Sequence, residues 1–184
     1  MRLLLLATLP LALACVTQPE PAPAAPQVSV VHDLAGRARY HVISAAELSD
    51  SAAVQAQIAS LEDSVVDARL RVRSAAEATR VASADIKLAL DAGNRLEIFV
   101  DEEERKAGRR GFAHYWQLGR EKLDSARAQQ ERALVAADSA LACIAVTCTS
   151  ERALEMRNYL ISASGATREA ESIVRIAVTY LRGY

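Results

Sequence analysis

The chain has 184 residues, and its 22 Lys and Arg nearly balance its 23 Asp and Glu, which gives a formal net charge of −1. This balance disfavours a basic nucleic-acid-binding surface. Apolar residues make up 51% of the sequence but aromatic residues only 4%, with few glycines and prolines, a composition typical of one helical bundle or coiled-coil domain.

Residues 1–14 predict an export signal. Arg2 supplies a positive charge, and the apolar run from Leu3 to Ala14 follows it. The run is too short to span a bilayer, which takes about 20 residues.

The residues that follow resemble the lipobox of bacterial lipoproteins, with the sequence LALAC ending at Cys15. In that family the cysteine becomes the lipidated N-terminus, so the resemblance implies lipidation of Cys15. The residue after the cysteine is Val16 and not an aspartate. In the lipoprotein resemblance this implies that the protein is located at the outer membrane and faces the periplasm. Ala12-Leu13-Ala14 also fits an ordinary cleavage site, which would give an unlipidated secreted protein.

Residues 15–27 predict a tether, because four prolines favour an extended chain over a helix. Residues 28–43 form an uncertain segment. Apolar residues alternate on either side of the turn-forming Asp33-Leu34-Ala35-Gly36, which suggests a small β-hairpin leaning on helices. His32 and His41 lie here without a matching ligand set, so we predict no metal site.

Residues 44–184 predict an all-α bundle that begins with one long helix. Ser44 and Glu47 match a capping box, and an apolar row at heptad spacing then runs to Val100. We expect the helix to continue to about Lys106 and to kink or fray at Gly93. The row comprises Val54, Ile58, Leu61, Val65, Ala68, Val72, Ala75, Thr79, Ala82, Ile86, Ala89, Gly93, Leu96 and Val100.

Two shorter antiparallel helices are predicted after the glycines at 108 and 111. The second helix runs from Phe112 to Ile144, and its aromatic start would fill the end of an alanine-lined bundle or dock a partner. The third helix is predicted to be capped by Ser150 and to run to Arg182. Rows at the same three-four spacing are predicted from Trp116 to Ile144 in the second helix and from Ala153 to Leu181 in the third. The fold class is therefore a three-helix bundle or coiled coil.

Cys143 and Cys148 flank the predicted turn between the second and third helices. If Cys15 is lipidated, these two cysteines remain as an even pair in an oxidising compartment. We therefore predict a disulfide between them.

Unequal helix lengths predict a binding surface. The two short helices would cover the long one only from about Val72, which leaves residues 48–72 as an arm. An exposed row of large apolar residues is rarely left in water, so the arm would pair with a second copy or a partner helix. Alternatively, residues 28–43 would fold back over it. The predicted partner-binding residues are Val54, Ile58, Leu61 and Val65.

No catalytic motif occurs in the sequence, and we expect no enzyme activity, cofactor, metal or small-molecule substrate. The export signal and the heptads resemble those of helical envelope lipoproteins. We therefore predict a non-catalytic, tethered helical scaffold or protein-interaction module. The alternative is a secreted ligand-binding or sensory bundle, which the abundance of alanine disfavours because pockets are usually lined by larger groups.

Overall fold

The structure, a computed structural model, is an antiparallel bundle of four helices. It describes residues 25–106, 108 and 111–183, with side-chain burial for 29–101, 104, 105, 108 and 111–181. The helices are α1 (Ala25–Ala59), α2 (Val65–Lys106), α3 (Phe112–Ala142) and α4 (Val146–Thr179), followed by a 3₁₀ turn (Tyr180–Gly183). This confirms the all-α bundle, whereas the three-helix layout is wrong.

The helices form a ring in chain order. Each packs on its sequence neighbours, and α4 closes the ring against α1, while α2 and α4 lie diagonally apart. The turns at 60–64 and 143–145 therefore share one end, here named the distal end. The start of α1, the α2–α3 connection and the end of α4 share the other, proximal end.

The segment with the suggested hairpin, residues 28–43, lies within α1. Its Val31, Ala35, Ala38 and Val42 recur at helical spacing and are buried. Packing against α2 and α4 thus overrides the local β-like alternation. Pro26, predicted to prevent a helix, lies in the first turn of α1, where a helix does not need its missing N–H.

The single long helix predicted from Ser44 to Lys106 is also wrong, because the chain turns at residues 60–64. The Leu61 N–H bonds to the Ile58 carbonyl at 3.0 Å, which tightens the end of α1. Ser64 then starts α2, and its Oγ accepts from the Asp67 N–H at 3.4 Å. Ser44 lies inside α1 and does not begin a helix.

The heptad rows are confirmed over most of the bundle. Every position of the predicted α2 row from Ala68 to Val100 is buried, as are the rows on α3 from Trp116 to Ala140 and on α4 from Ala153 to Leu181. The row fails before Ala68. In the last two turns of α1 the buried residues are Ala52, Ala56 and Ala59, not the larger residues predicted there.

The interior divides into two apolar clusters separated by a polar layer. The proximal cluster holds bulky residues, including Ile86, Leu96, Phe112 and Trp116. The distal cluster is mostly alanine, with Met156 and Leu160. The layer between them contains Ser49, Thr79, Gln130 and Thr167, all fully buried. The Gln130 Nε2 donates to Ser49 Oγ at 3.1 Å and joins α3 to α1.

The α2–α3 connection is held by a side chain from the preceding helix. Glu104 is buried, and its carboxylate accepts the N–H groups of Phe112 at 2.5 Å and Ala113 at 3.2 Å. These are the free donors of the first turn of α3. A Cβ at Gly111 would lie 2.2 Å from Glu104 Oε1, so the cap requires glycine there.

Candidate functional site

The predicted partner-binding residues surround the α1–α2 turn at the distal end. Leu61 in the turn is 73% exposed and Val54 on α1 is 57% exposed. Ile58 and Val65 are half-buried. The four residues thus belong to two helices and a turn, and not to one projecting arm.

The arm itself is absent. Residues 48–72 contain the end of α1, the turn and the start of α2, and Ala52, Ala56, Ala59, Ala68 and Val72 within this range are fully buried. A fourth helix supplies the cover that the predicted three-helix layout lacked. What remains exposed is the outward side of these helices and their turn.

The α3–α4 turn lies beside the α1–α2 turn and adds an apolar side chain that the sequence analysis did not select. Ile144 is 91% exposed. Arg69, near the start of α2, donates from Nη2 to the Cys143 carbonyl at 2.5 Å, which ties the two turns together. A charge-assisted bond of this kind is stronger than one between neutral groups.

Cys143 and Cys148 bracket this second turn, with a bond between their sulfur atoms and Cα atoms 5.8 Å apart. Helix α4 begins at Val146, four residues before the predicted cap at Ser150, and its N-cap Ala145 makes no side-chain cap bond. The disulfide therefore joins the end of α3 to the first turn of α4, where capping chemistry is missing.

Two further apolar residues are exposed in the first two turns of α2, namely Val66, 68% exposed, and Leu70, 55% exposed. We name these residues the distal-end surface. It comprises Val54, Leu61, Val66, Leu70 and Ile144. Arg71 borders it and lies 3.8 Å from Glu62 and 3.3 Å from Gln55. An apolar group with a charged border is the arrangement found at protein-binding sites.

A polar cluster between α1 and α2 contains residue types found in catalytic sites. His41 Nδ1 lies 2.8 Å from Asp85 Oδ1, and the Ser44 hydroxyl donates to Asp85 Oδ2 at 2.6 Å. A nucleophilic serine would instead bond to the histidine. Here both groups bond to one carboxylate, and the cluster joins two helices.

A second cross-helix contact lies between α1 and α4. Ser164 and Arg168 both bond to the carboxylate of Asp50. Burial raises the pKa of Asp50, but these hydrogen bonds and the charge of Arg168 outweigh it and lower the pKa below 3.8. The cluster fixes how α4 lies against α1.

Other expected features concern residues outside the described part of the chain. These are the export signal, the lipidation site Cys15 and most of the 15–27 tether; the last three residues of that range belong to α1. Within the described residues no group of three or more histidine, cysteine or acidic side chains could hold a metal ion. None of the described helices is long and apolar enough to cross a membrane.

No protein-family model matches this chain, and neither does any curated protein or solved structure.

Proposed function

We propose that this chain is a non-catalytic helical scaffold of the bacterial envelope, anchored through lipid at Cys15 and binding another protein at its distal end. The observation that carries the proposal is that small apolar side chains lie inside the distal end while large ones are exposed, which reverses the usual arrangement. Alanines fill the distal core, while Leu61, Val66 and Ile144 are at least two-thirds exposed.

This distribution supports a binding role because burying apolar surface is favourable by about 25 cal/mol per Å². Large side chains left in water near two adjoining turns lose that contribution until a partner covers them. The partner that fits is a protein with an apolar patch and charges complementary to Arg71 and Glu62.

The geometry also suits a tethered scaffold. Helix α1 has 35 residues and spans about 50 Å at 1.5 Å per residue. An anchor that precedes α1 would hold the distal-end surface at that distance from the membrane, while Pro19, Pro21 and Pro23 would add an extended spacer.

The alternative function, a ligand-binding or sensory bundle, requires a cavity between the helices. The distal core cluster is instead filled by closely approaching alanines, and the proximal cluster by Phe112, Trp116 and other large side chains. The scaffold is therefore favoured.

The anchor is tested with Cys15→Ser. We expect the native protein to lack residues 1–14 and to carry a diacylglyceryl group by intact mass, and the variant to leave the membrane fraction. An unmodified mature N-terminus would reject lipidation while leaving the distal-end surface to be judged on its own.

Protein binding is tested by crosslinking in the native cell, followed by pull-down. We expect Leu61→Glu together with Ile144→Glu to abolish one defined crosslinked band. Ile98→Glu, at a 77% exposed apolar site on α2 nearer the proximal end, is the matched control and should retain the band. Equal loss in both variants would contradict a distal-end site.

A further inference from the structure

A second surface, at the proximal end, collects positive charge in a concave groove between α1 and α4. It is lined by His32 and Arg39 from α1 and by Arg175, Val178 and Thr179 from α4, and its volume is about 370 Å³. That volume is within the range of small-molecule sites. The groove lies at the opposite end of the bundle from the distal-end surface.

The two arginines of this groove are unpaired within the described part of the chain. Neither Arg39 nor Arg175 has an ion pair or hydrogen bond there, and both are exposed. Some other exposed arginines are paired with a carboxylate on their own helix: Arg37 lies 2.9 Å from Asp33, and Arg95 lies 3.1 Å from Asp91.

A shortage of acidic residues does not explain why Arg39 and Arg175 lack a carboxylate partner among the described residues, since Asp and Glu slightly outnumber Lys and Arg in the chain. No acidic side chain lines the groove. Asp33, next to His32 in the sequence, is engaged by Arg37 one turn later. Two guanidinium groups from different helices therefore face one concavity without a counter-charge.

The remaining lining residues determine what the groove can offer a ligand. Val178 is half-buried and packs on the proximal core cluster, which gives the groove a fixed apolar wall. The Thr179 hydroxyl already donates to the Ile176 carbonyl at 2.7 Å, so it can only accept from a ligand. The donors that remain are the two guanidinium groups and the His32 imidazole.

We propose that this groove binds a phosphate group. Guanidinium groups bind phosphate oxygens in a bidentate manner. Two of them match the double negative charge of a phosphate monoester, and the same donors can hold the singly charged diester of a lipid headgroup. The phosphate can belong to a lipid headgroup or to a soluble phosphate ester. This site is independent of the distal-end surface and of lipidation at Cys15.

The test uses the full chain in a neutral detergent and isothermal titration with inorganic phosphate, glycerol 3-phosphate and acetate. The variant is Arg39→Gln with Arg175→Gln. The matched control is Arg80→Gln with Arg132→Gln, which removes the same charge at exposed positions on α2 and α3. A second arm measures cosedimentation with phosphatidylcholine vesicles that contain or lack phosphatidylglycerol.

We expect saturable binding of a phosphate probe that weakens at least about tenfold in the groove variant and is unchanged in the control. Binding of glycerol 3-phosphate assigns a soluble ester as ligand. Groove-dependent binding confined to phosphatidylglycerol vesicles assigns a lipid headgroup. Equal weakening in both variant pairs, equal binding of acetate, or no groove-dependent binding in either arm would overturn the proposal.

Discussion

Single residues at contacts between helices determine how closely the helices of this bundle approach, and Gly93 is the clearest case. Its sequence context predicted a kink or fraying, but α2 continues through it to Lys106. A Cβ at this position would lie 2.0 Å from Trp116 Cζ2. Glycine is present because the indole of α3 occupies the space of a side chain. The Trp116 Nε1–H also donates to Asn94 Oδ1 at 3.1 Å.

Gly93→Ala should therefore destabilise the protein, although alanine is the better helix former by about 1 kcal/mol. The methyl group would displace Trp116 from the proximal core, and such overpacking costs about 1–3 kcal/mol. Urea denaturation would measure the loss. Gly165→Ala on α4, where a Cβ meets nothing within 4 Å, is the control and should be neutral or more stable. A Gly93→Ala variant as stable as the control would contradict this packing.

Asp50 predicts a specific dependence of stability on pH. Its folded-state pKa is lowered because the bonds from Ser164 and Arg168 outweigh the effect of burial. A carboxyl group with a lowered folded-state pKa contributes stability above its unfolded-state pKa of about 3.9 and loses it as the pH falls through the folded-state value.

Asp50→Asn should accordingly be less stable than the native chain at neutral pH, and the difference should shrink below about pH 4. Thermal unfolding across pH would measure it. Asp138→Asn, at an exposed site on α3, is the control. A difference between Asp50→Asn and the native chain that stays constant with pH would show that the carboxylate charge is not involved.

At the scale of elements, the disulfide replaces capping at the α3–α4 turn. Joining Cys143 and Cys148 closes a short loop, and loop entropy gives a stabilisation of about 2 kcal/mol. Cys143→Ser with Cys148→Ser should lose about this amount, and a reducing agent should destabilise the native chain but not the variant. Free, alkylatable thiols at both positions in oxidised protein would reject the bond.

The helical rows of α2, α3 and α4 could be predicted because a buried face at heptad spacing leaves a direct imprint on the sequence. The α1–α2 turn could not. The heptad spacing continues across residues 60–64, so Val54, Ile58 and Leu61 extend the row of α2 while α1 buries Ala52, Ala56 and Ala59. Side-chain size favoured the larger residues, but close approach of helices selects the small ones.

Helix α1 was missed at its start for a related reason. Its buried residues between Val31 and Val42 include Ala35 and Ala38, which carry little hydrophobic signal. Val28, Val30, Tyr40 and Val42 dominate the local pattern and favour strand. Only packing against α2 and α4 decides between a helix and a strand for this segment. The local sequence does not contain that information.

For the whole molecule, the candidate site could be predicted in part. Val54 and Leu61 were selected for their apolar character, and both are exposed near the distal end. Ile144 was assigned to the interior row of α3, and the groove of Arg39 and Arg175 was not identified. The exposure of Ile144 and the position of the groove depend on which helix ends lie side by side. The order of the four helices around the ring determines this.

The oligomeric state in solution tests whether the partner is a second copy of the chain. Stable homodimer interfaces are larger and more apolar than those of non-obligate complexes, whereas the distal-end surface combines only five large apolar residues with the charged border of Arg71 and Glu62. We therefore expect residues 16–184, which include every described helix, to sediment as a monomer at high micromolar concentration. The variants Ile58→Glu and Leu61→Glu should sediment identically. A dimer that both variants dissociate would instead assign the surface to self-pairing, and a dimer that neither affects would place self-association elsewhere on the bundle.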